Sequence, residues 1–420
     1  MDRLYEQLLD AAADDETKHR VRVHRAMSLC HTRGVGSVDR DELSHAIEAL
    51  PLCVELGDAK FVMGLMDKVR GKLRSAETHF RAANETFVAL DNRARQGDAV
   101  TQLGGLALRE DRLDDAERHF REAVDISQEA GRPIAAAVNQ INRAMAVFAR
   151  GHVDGLEDEV EAAVRTITMA GTGPVPGATI FLARLLYAQG KLPQAYARVE
   201  VAVDLLRHYA DVGSIEIVRT EEAHLAAVQG FLTRSREALA AAREAADRQA
   251  HRMSQVAVAF IEVQVLCMAG DIDGARAAAE RAVRLASESE GEGVPYDWLA
   301  EAVLYGLPVA SLPECDDPFV RAARGYATGV VAELPDRFPG RRQATLRLVV
   351  DLFASDDASL KSTIDAAREL GHVWLEIVAL GRFHKRTGSA DVLARRNALL
   401  DRIAEGLPED ERARFNDAWR

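Results

Sequence analysis

Aromatic side chains are scarce in this chain: Phe, Trp and Tyr together make up 5% of its 420 residues. A core built from such a sequence must close mainly through alanine and aliphatic side chains, as closely packed helix pairs do. Cysteine is scarcer. The four (Cys30, Cys53, Cys267, Cys315) are scattered and never spaced as CxxC, which argues against a disulfide framework and fits a reducing cytoplasm. Long apolar runs are missing too. The most apolar stretch, residues 256–270, is interrupted by Glu262 and Gln264 and is too short to span a bilayer. The amino terminus is charged from Asp2 onward and lacks the apolar region of a secretory signal. Positive charge is in deficit, with a net charge of −13. Nucleic acids and anionic membranes need clustered Lys and Arg, so neither is an expected partner. A soluble cytoplasmic protein is expected.

Signatures of chemistry are also absent. The glycine cluster Gly171-Thr172-Gly173 to Gly177-Ala178 has no lysine after its last glycine, so it cannot serve as a phosphate loop and reads as an inter-repeat turn. Neither HExxH nor GxSxG occurs. His24, Cys30 and His31 lie close in sequence, but zinc needs three or four convergent ligands at defined spacing. His79 and His119 recur at one position before Phe80 and Phe120, as repeat residues do. The densest basic cluster (Arg337, Arg341, Arg342, Arg347) reads as a solvated helix start. No metal, cofactor or catalytic activity is expected.

What the chain has instead is a pattern recurring every 39 or 40 residues. Six copies open at Gly71, Asp111, Gly151, Gly190, Gly230 and Gly270. Two residues on stands an aliphatic side chain (Leu73, Leu113, Val153, Leu192, Leu232, Ile272). A small residue follows (Ala76, Ala116, Leu156, Ala195, Ser235, Ala275), then a larger apolar one (Phe80, Phe120, Val160, Val199, Leu239, Ala279), then alanine (Ala83, Ala123, Ala163, Ala202, Ala242, Ala282). Spacings of four and then three put these side chains on one face of a helix. The opening glycine suits the left-handed residue that ends the preceding helix. A fixed period of this length marks a solenoid of antiparallel helix hairpins, each burying its core against its neighbours.

The pattern resembles the tetratricopeptide repeat (TPR). Met63-Gly64 and Leu103-Gly104 match the hydrophobic–Gly pair of that family's first helix. Ala76/Phe80/Ala83 and Ala116/Phe120/Ala123 match its second. Later copies drift, with Ala144, Ala183 and Ala223 in place of the glycine. The longer period is similar to the sensor arrays of large LuxR-type activators and of peptide-responsive bacterial regulators. The resemblance implies an all-α fold, an α-α superhelix. It covers residues 40–290 well and 340–405 more loosely.

Four segments are expected. Residues 1–56 form capping helices or a degenerate repeat, and 57–290 the six repeats. Residues 291–340, with Pro295, Pro308, Pro313, Pro318 and Pro335, are irregular because proline breaks helices. Residues 341–420 hold degenerate repeats and a polar C-terminal cap.

In TPR-like stacks the first helices line a groove. Counting back twelve from each small second-helix residue sets the phase. The candidate groove residues are Gln102, Asn139, Asn142, Arg143, Arg184, Glu221, His224, Glu262 and Gln264, with Phe61, Ile141, Met145, Ile180 and Phe260 as apolar neighbours. The Lys/Asn clamp by which some TPR proteins hold a terminal carboxylate is not matched, since Phe61 and Leu65 stand at its first positions. The expected function is a non-catalytic adaptor or regulator binding a protein segment or peptide. The alternative is a sensor that holds a small molecule or signalling peptide and acts through a partner protein.

Overall fold

The structure, a computed structural model, describes residues 2–419 except 33, 111, 151, 153, 171–175, 190, 208–211, 250–251, 289–295, 315–319, 322, 326–356 and 371. The segment expected at Arg341–Ala354, its basic cluster, and the turns at Asp111, Gly151 and Gly190 therefore lie outside the described residues. No strand occurs among the described residues. The chain is an all-α, TPR-like α-α superhelix.

The helices are α1 (Asp2–Ala11), α2 (Asp15–Thr32), α3 (Arg40–Ala49), α4 (Val54–Val69), α5 (Leu73–Ala89), α6 (Arg93–Arg109), α7 (Leu113–Glu129), α8 (Pro133–Ala149), α9 (Leu156–Met169) and α10 (Pro176–Ala188). They continue with α11 (Leu192–Leu205), α12 (Val212–Val228), α13 (Leu232–Gln249), α14 (Arg252–Met268), α15 (Ile272–Ser287) and α16 (Tyr296–Glu301). The last four are α17 (Asp357–Leu370), α18 (Val373–Thr387), α19 (Ala390–Glu405) and α20 (Glu409–Trp419). Two compact units form. One comprises Met1–Val147, Arg165–Gly171 and Glu290–Gly293; the other comprises Phe148–Val164, Thr172–Ser289 and Val294–Arg420. Within them α4 pairs with α5, α6 with α7, α10 with α11, α12 with α13, and α14 with α15.

The turns explain the pairing. Gly71 adopts φ +77, a conformation that costs glycine nothing. This lets Gly71 N–H donate to the Lys68 carbonyl at 3.2 Å and Lys72 N–H to that of Asp67 at 2.9 Å, the paired bonds that close a helix C-terminus. Between α5 and α6 the left-handed residue is Asp91, at φ 52. Asn92 then caps α6, its side chain accepting from Arg95 N–H at 3.2 Å.

Packing follows the repeat register. Ala76, Phe80 and Ala83 are fully buried, as are Ala195, Val199 and Ala202, and Ala275, Ala279 and Ala282. A Cβ on Gly64 would lie 2.6 Å from Phe80 Cε1, and one on Gly104 would lie 2.8 Å from the Phe120 ring. Glycine is thus the seat of the aromatic ring. The drift of later copies conserves volume. Where the large position shrinks to Val199 or Leu239, the facing position grows to Ala183 or Ala223. Where it falls to Ala279, the equivalent first-helix residue is Val263; all six are buried.

In the second unit the described C-terminal helices pack back onto the hairpin turns. Trp374 is fully buried, its Nε1 donating to the Ala227 carbonyl at 2.7 Å, and it packs with Tyr305, Phe415 and Trp419. The turn at Gly230 rests against Ile403, and that at Gly270 against Phe415 and Ala418 of α20. The C-terminal helix is polar overall, yet Phe415 is completely enclosed and Trp419 packs against Trp374.

Candidate functional site

In the first unit the shared face of α4, α6 and α8 borders an open groove of about 940 Å³. Its apolar wall comes from Met27 of α2, Phe61 and Leu65 of α4, and Ile134 and Val138 of α8. The polar part comes from Arg95, Asp98, Thr101 and Gln102 of α6, with Arg132 just before α8 and Asn139 within it. Spacings of three and four residues keep each set on one helical stripe. The rim is tied by ion pairs. Arg132 Nη1 donates to Asp98 at 2.9 Å and to the Ala94 carbonyl at 2.7 Å, while Arg95 Nε stands 3.2 Å from Asp58. Burial pushes the Asp58 carboxyl up, with the Arg95 guanidinium opposing it.

Asn139, a sequence candidate, is 3% exposed and lines this groove. Its Oδ1 lies 2.9 Å from Thr101 Oγ1, which also lies 2.8 Å from the Gly97 carbonyl. A hydroxyl carries one proton, so it serves only one of these acceptors. Either orientation of the Asn139 amide lets Thr101 engage only one of its two ends. Gln102, another candidate, also lines it, and its Oε1 accepts from Lys68 Nζ at 2.9 Å. Asn142 and Arg143 are half-buried and stand apart from the lining, with Arg143 3.9 Å from Glu117. Ile141 is buried and Met145 half-buried.

The other candidates belong to the second unit, where Arg184, Glu221, His224 and Gln264 join an interior polar ladder and Glu262 stands apart from it. Arg184 Nε donates to Glu221 at 2.9 Å. Ser254 Oγ donates to Glu216 at 3.0 Å. His224 Nδ1 is 3.3 Å from Gln264 Oε1, and Gln264 Nε2 donates to the Trp298 carbonyl at 2.6 Å and to Glu301 at 3.1 Å. Glu221 and His224 are 2% exposed, and Gln264 is wholly enclosed. Burial pushes the Glu216 carboxyl up, against Ser254 and Arg184. Ile180 and Phe260 are likewise fully buried. Glu262 faces a shallow cleft of about 470 Å³ and lies 2.7 Å from Arg243.

The sequence reading missed Arg95, Asp98, Thr101 and Arg132, along with Lys68, whose ammonium meets Gln102. Counting twelve back from the small second-helix residue marked Gln102 alone on α6 and no residue on the last turn of α4. Following the stripe of Phe61 and Leu65 one further turn reaches Lys68. Among the described residues no group of three His, Cys, Asp or Glu is placed to hold a metal. Nor is any helix among them long and apolar enough to cross a membrane.

The fold is TPR-like, and a solved structure shares its architecture. The chain is similar to NprR in complex with its cognate peptide NprX, at 13% identity over 84% of this chain and 93% of that one, with a TM-score of 0.55. A Rap protein complexed with Competence and Sporulation Factor matches at 11% identity over 97% and 92%, with a TM-score of 0.43. A STAND signal-transduction ATPase with a TPR sensor, from Pyrococcus horikoshii, matches at 12% over 84% of this chain and 54% of that chain, with a TM-score of 0.46. At such identities the likeness is one of fold. No protein-family model and no curated protein sequence matches the chain.

Proposed function

We propose that the chain is a non-catalytic scaffold that binds an extended peptide or protein segment in the groove of its first unit and acts as a cytoplasmic regulator or adaptor. The observation that carries this reading is the groove itself. It has an apolar wall from Met27, Phe61, Leu65 and Val138, and a facing polar strip in which Gln102 and Asn139 keep amide groups for an incoming backbone. Apolar pockets bind alternate side chains of such a ligand, while amides pair with its main chain. The likeness to NprR, whose structure holds a cognate peptide, favours a short signalling peptide as the occupant, with the response passed to a partner protein.

Selection of random phage-displayed peptides on the immobilised full chain tests this reading. Enriched peptides that share apolar residues and lose binding to Asn139→Ala and Leu65→Asp variants support it. Failure to enrich any peptide, or enrichment indifferent to both substitutions, contradicts it.

A further inference from the structure

We propose that Lys68, Gln102 and Arg109 form a carboxylate-binding subsite beside the groove, seating an Asp or Glu side chain of the bound peptide. The proposal rests on the groove reading above and adds to it the charge of the ligand.

Lys68 stands in the last turn of α4, and Arg109 is the final residue of α6. Lys68 Nζ donates one bond, to Gln102 Oε1 at 2.9 Å. It lies 3.9 Å from where a Cβ on Gly105 would be, so a residue without a side chain leaves space beside the ammonium. Arg109 donates a single long bond, 3.5 Å, to the Lys68 carbonyl. An ammonium carries three donors and a guanidinium five. With Gln102 Oε1 already occupied, what remains is almost all donor: two N–H of Lys68, the Gln102 amide N–H groups and most of the Arg109 fork.

Among the described residues no carboxylate lies within ion-pair distance of either cation. Nearby acids are committed elsewhere: Glu110 to Arg112 at 2.6 Å, Asp67 to Arg40 at 2.6 Å, and Asp98 to Arg132 at 2.9 Å. In a chain of net charge −13, two adjacent cations with no counter-ion among the described residues run against the composition. Helix C-termini do attract cations, but Arg109 reaches across to a carbonyl of α4 rather than one of its own helix. Desolvation and the neighbouring Arg109 lower the Lys68 pKa to about 8, a cost carried by the free protein and relieved by an anion. The groove draws on the first half of α8, whereas the cations lie at the far ends of α4 and α6, to one side. A chain lying in the groove meets them with a side chain.

The test uses the same phage selection, in which the peptides are fused at their C-termini and offer no free carboxylate. Wild-type selections are expected to fix one Asp or Glu at constant spacing from an apolar residue. A selected peptide, synthesised as its amide, should lose about tenfold or more in affinity on Asp→Asn or Glu→Gln exchange, and similarly on Lys68→Met, as for hydrogen bonds to charged groups. The two losses should not add, and Lys68→Arg should restore most of the binding. The Tm of Lys68→Met without ligand should equal or exceed that of wild type; a lower Tm makes Lys68 a structural cap and overturns the proposal. Enriched peptides without an acid, or equal affinity for Lys68→Met, overturn the subsite and leave the groove standing. No enrichment at all removes both.

Discussion

His224 and Gln264, one repeat apart, meet inside the second unit with Nδ1 and Oε1 3.3 Å apart. Because the Gln264 amide nitrogen donates to the Trp298 carbonyl and to Glu301, its Oε1 is the acceptor, and His224 therefore carries its proton on Nδ1. Arg184–Glu221 and Ser254–Glu216 join successive first helices in the same way. Gln264→Leu removes a partner from three enclosed groups at once. The expected loss is about 1–3 kcal/mol, the cost of an unsatisfied buried polar group, read from urea unfolding. A change within error would mean that this ladder contributes nothing to the stack.

The volume exchange between facing positions gives a sharper test. Gly64→Ala places a methyl 2.6 Å from the Phe80 ring, which is fully buried and has nowhere to go. The substitution should cost about 1–3 kcal/mol, as overpacking does. Phe80→Leu in the same chain should recover part of it, because Ala223 with Leu239 is the pairing another repeat already uses. Strict additivity of the two changes would show that these positions do not share a contact.

Ala83 is completely enclosed between α5 and its neighbours. Ala83→Leu should likewise destabilise by about 1–3 kcal/mol, measured by calorimetry. An unchanged Tm would contradict the repeat register.

The charge on Lys68 predicts a pH dependence. Its pKa, lowered to about 8 from 10.5, means that below pH 8 both folded and unfolded chains hold the proton and the cost of the buried ammonium is fully present. Between pH 8 and 10.5 the unfolded chain keeps a proton that the folded one releases, so stability rises with pH across that window. The groups facing it are Arg109 and the neutral Gln102; the adjacent Asp67 is turned into its pair with Arg40. Any advantage of Lys68→Met over wild type in urea midpoint should therefore be larger at pH 7 than at pH 10. An advantage constant across that range would contradict the assignment.

The hairpin architecture was legible because its cause is local. Gly71 must end α4 in a left-handed turn, and Ala76, Phe80 and Ala83 must share a face, so the period announces the fold. The site was only half legible. Gln102, which the phase marked, and Asn139, which the Asn139-to-Arg143 run suggested, line the groove, whereas Glu221, His224 and Gln264 are enclosed. What hides them is tertiary. Trp298 and Glu301 of α16 cover Gln264, and the proline-rich sequence before α17 gave no periodic sign that α16 would do so. In sequence, Lys68 near a helix end reads as a solvated charge, and only in three dimensions does it stand beside Arg109 with no carboxylate partner among the described residues.

The central claim is a peptide seated on the common face of α4, α6 and α8. Hydrogen exchange of the full chain, with and without a saturating selected peptide, tests it most directly. The account predicts slowed exchange at residues 54–69, 93–109 and 133–149 and little change in α5, α7 and the second unit. Slowing confined to the second helices or to the second unit, or no slowing anywhere, would contradict it.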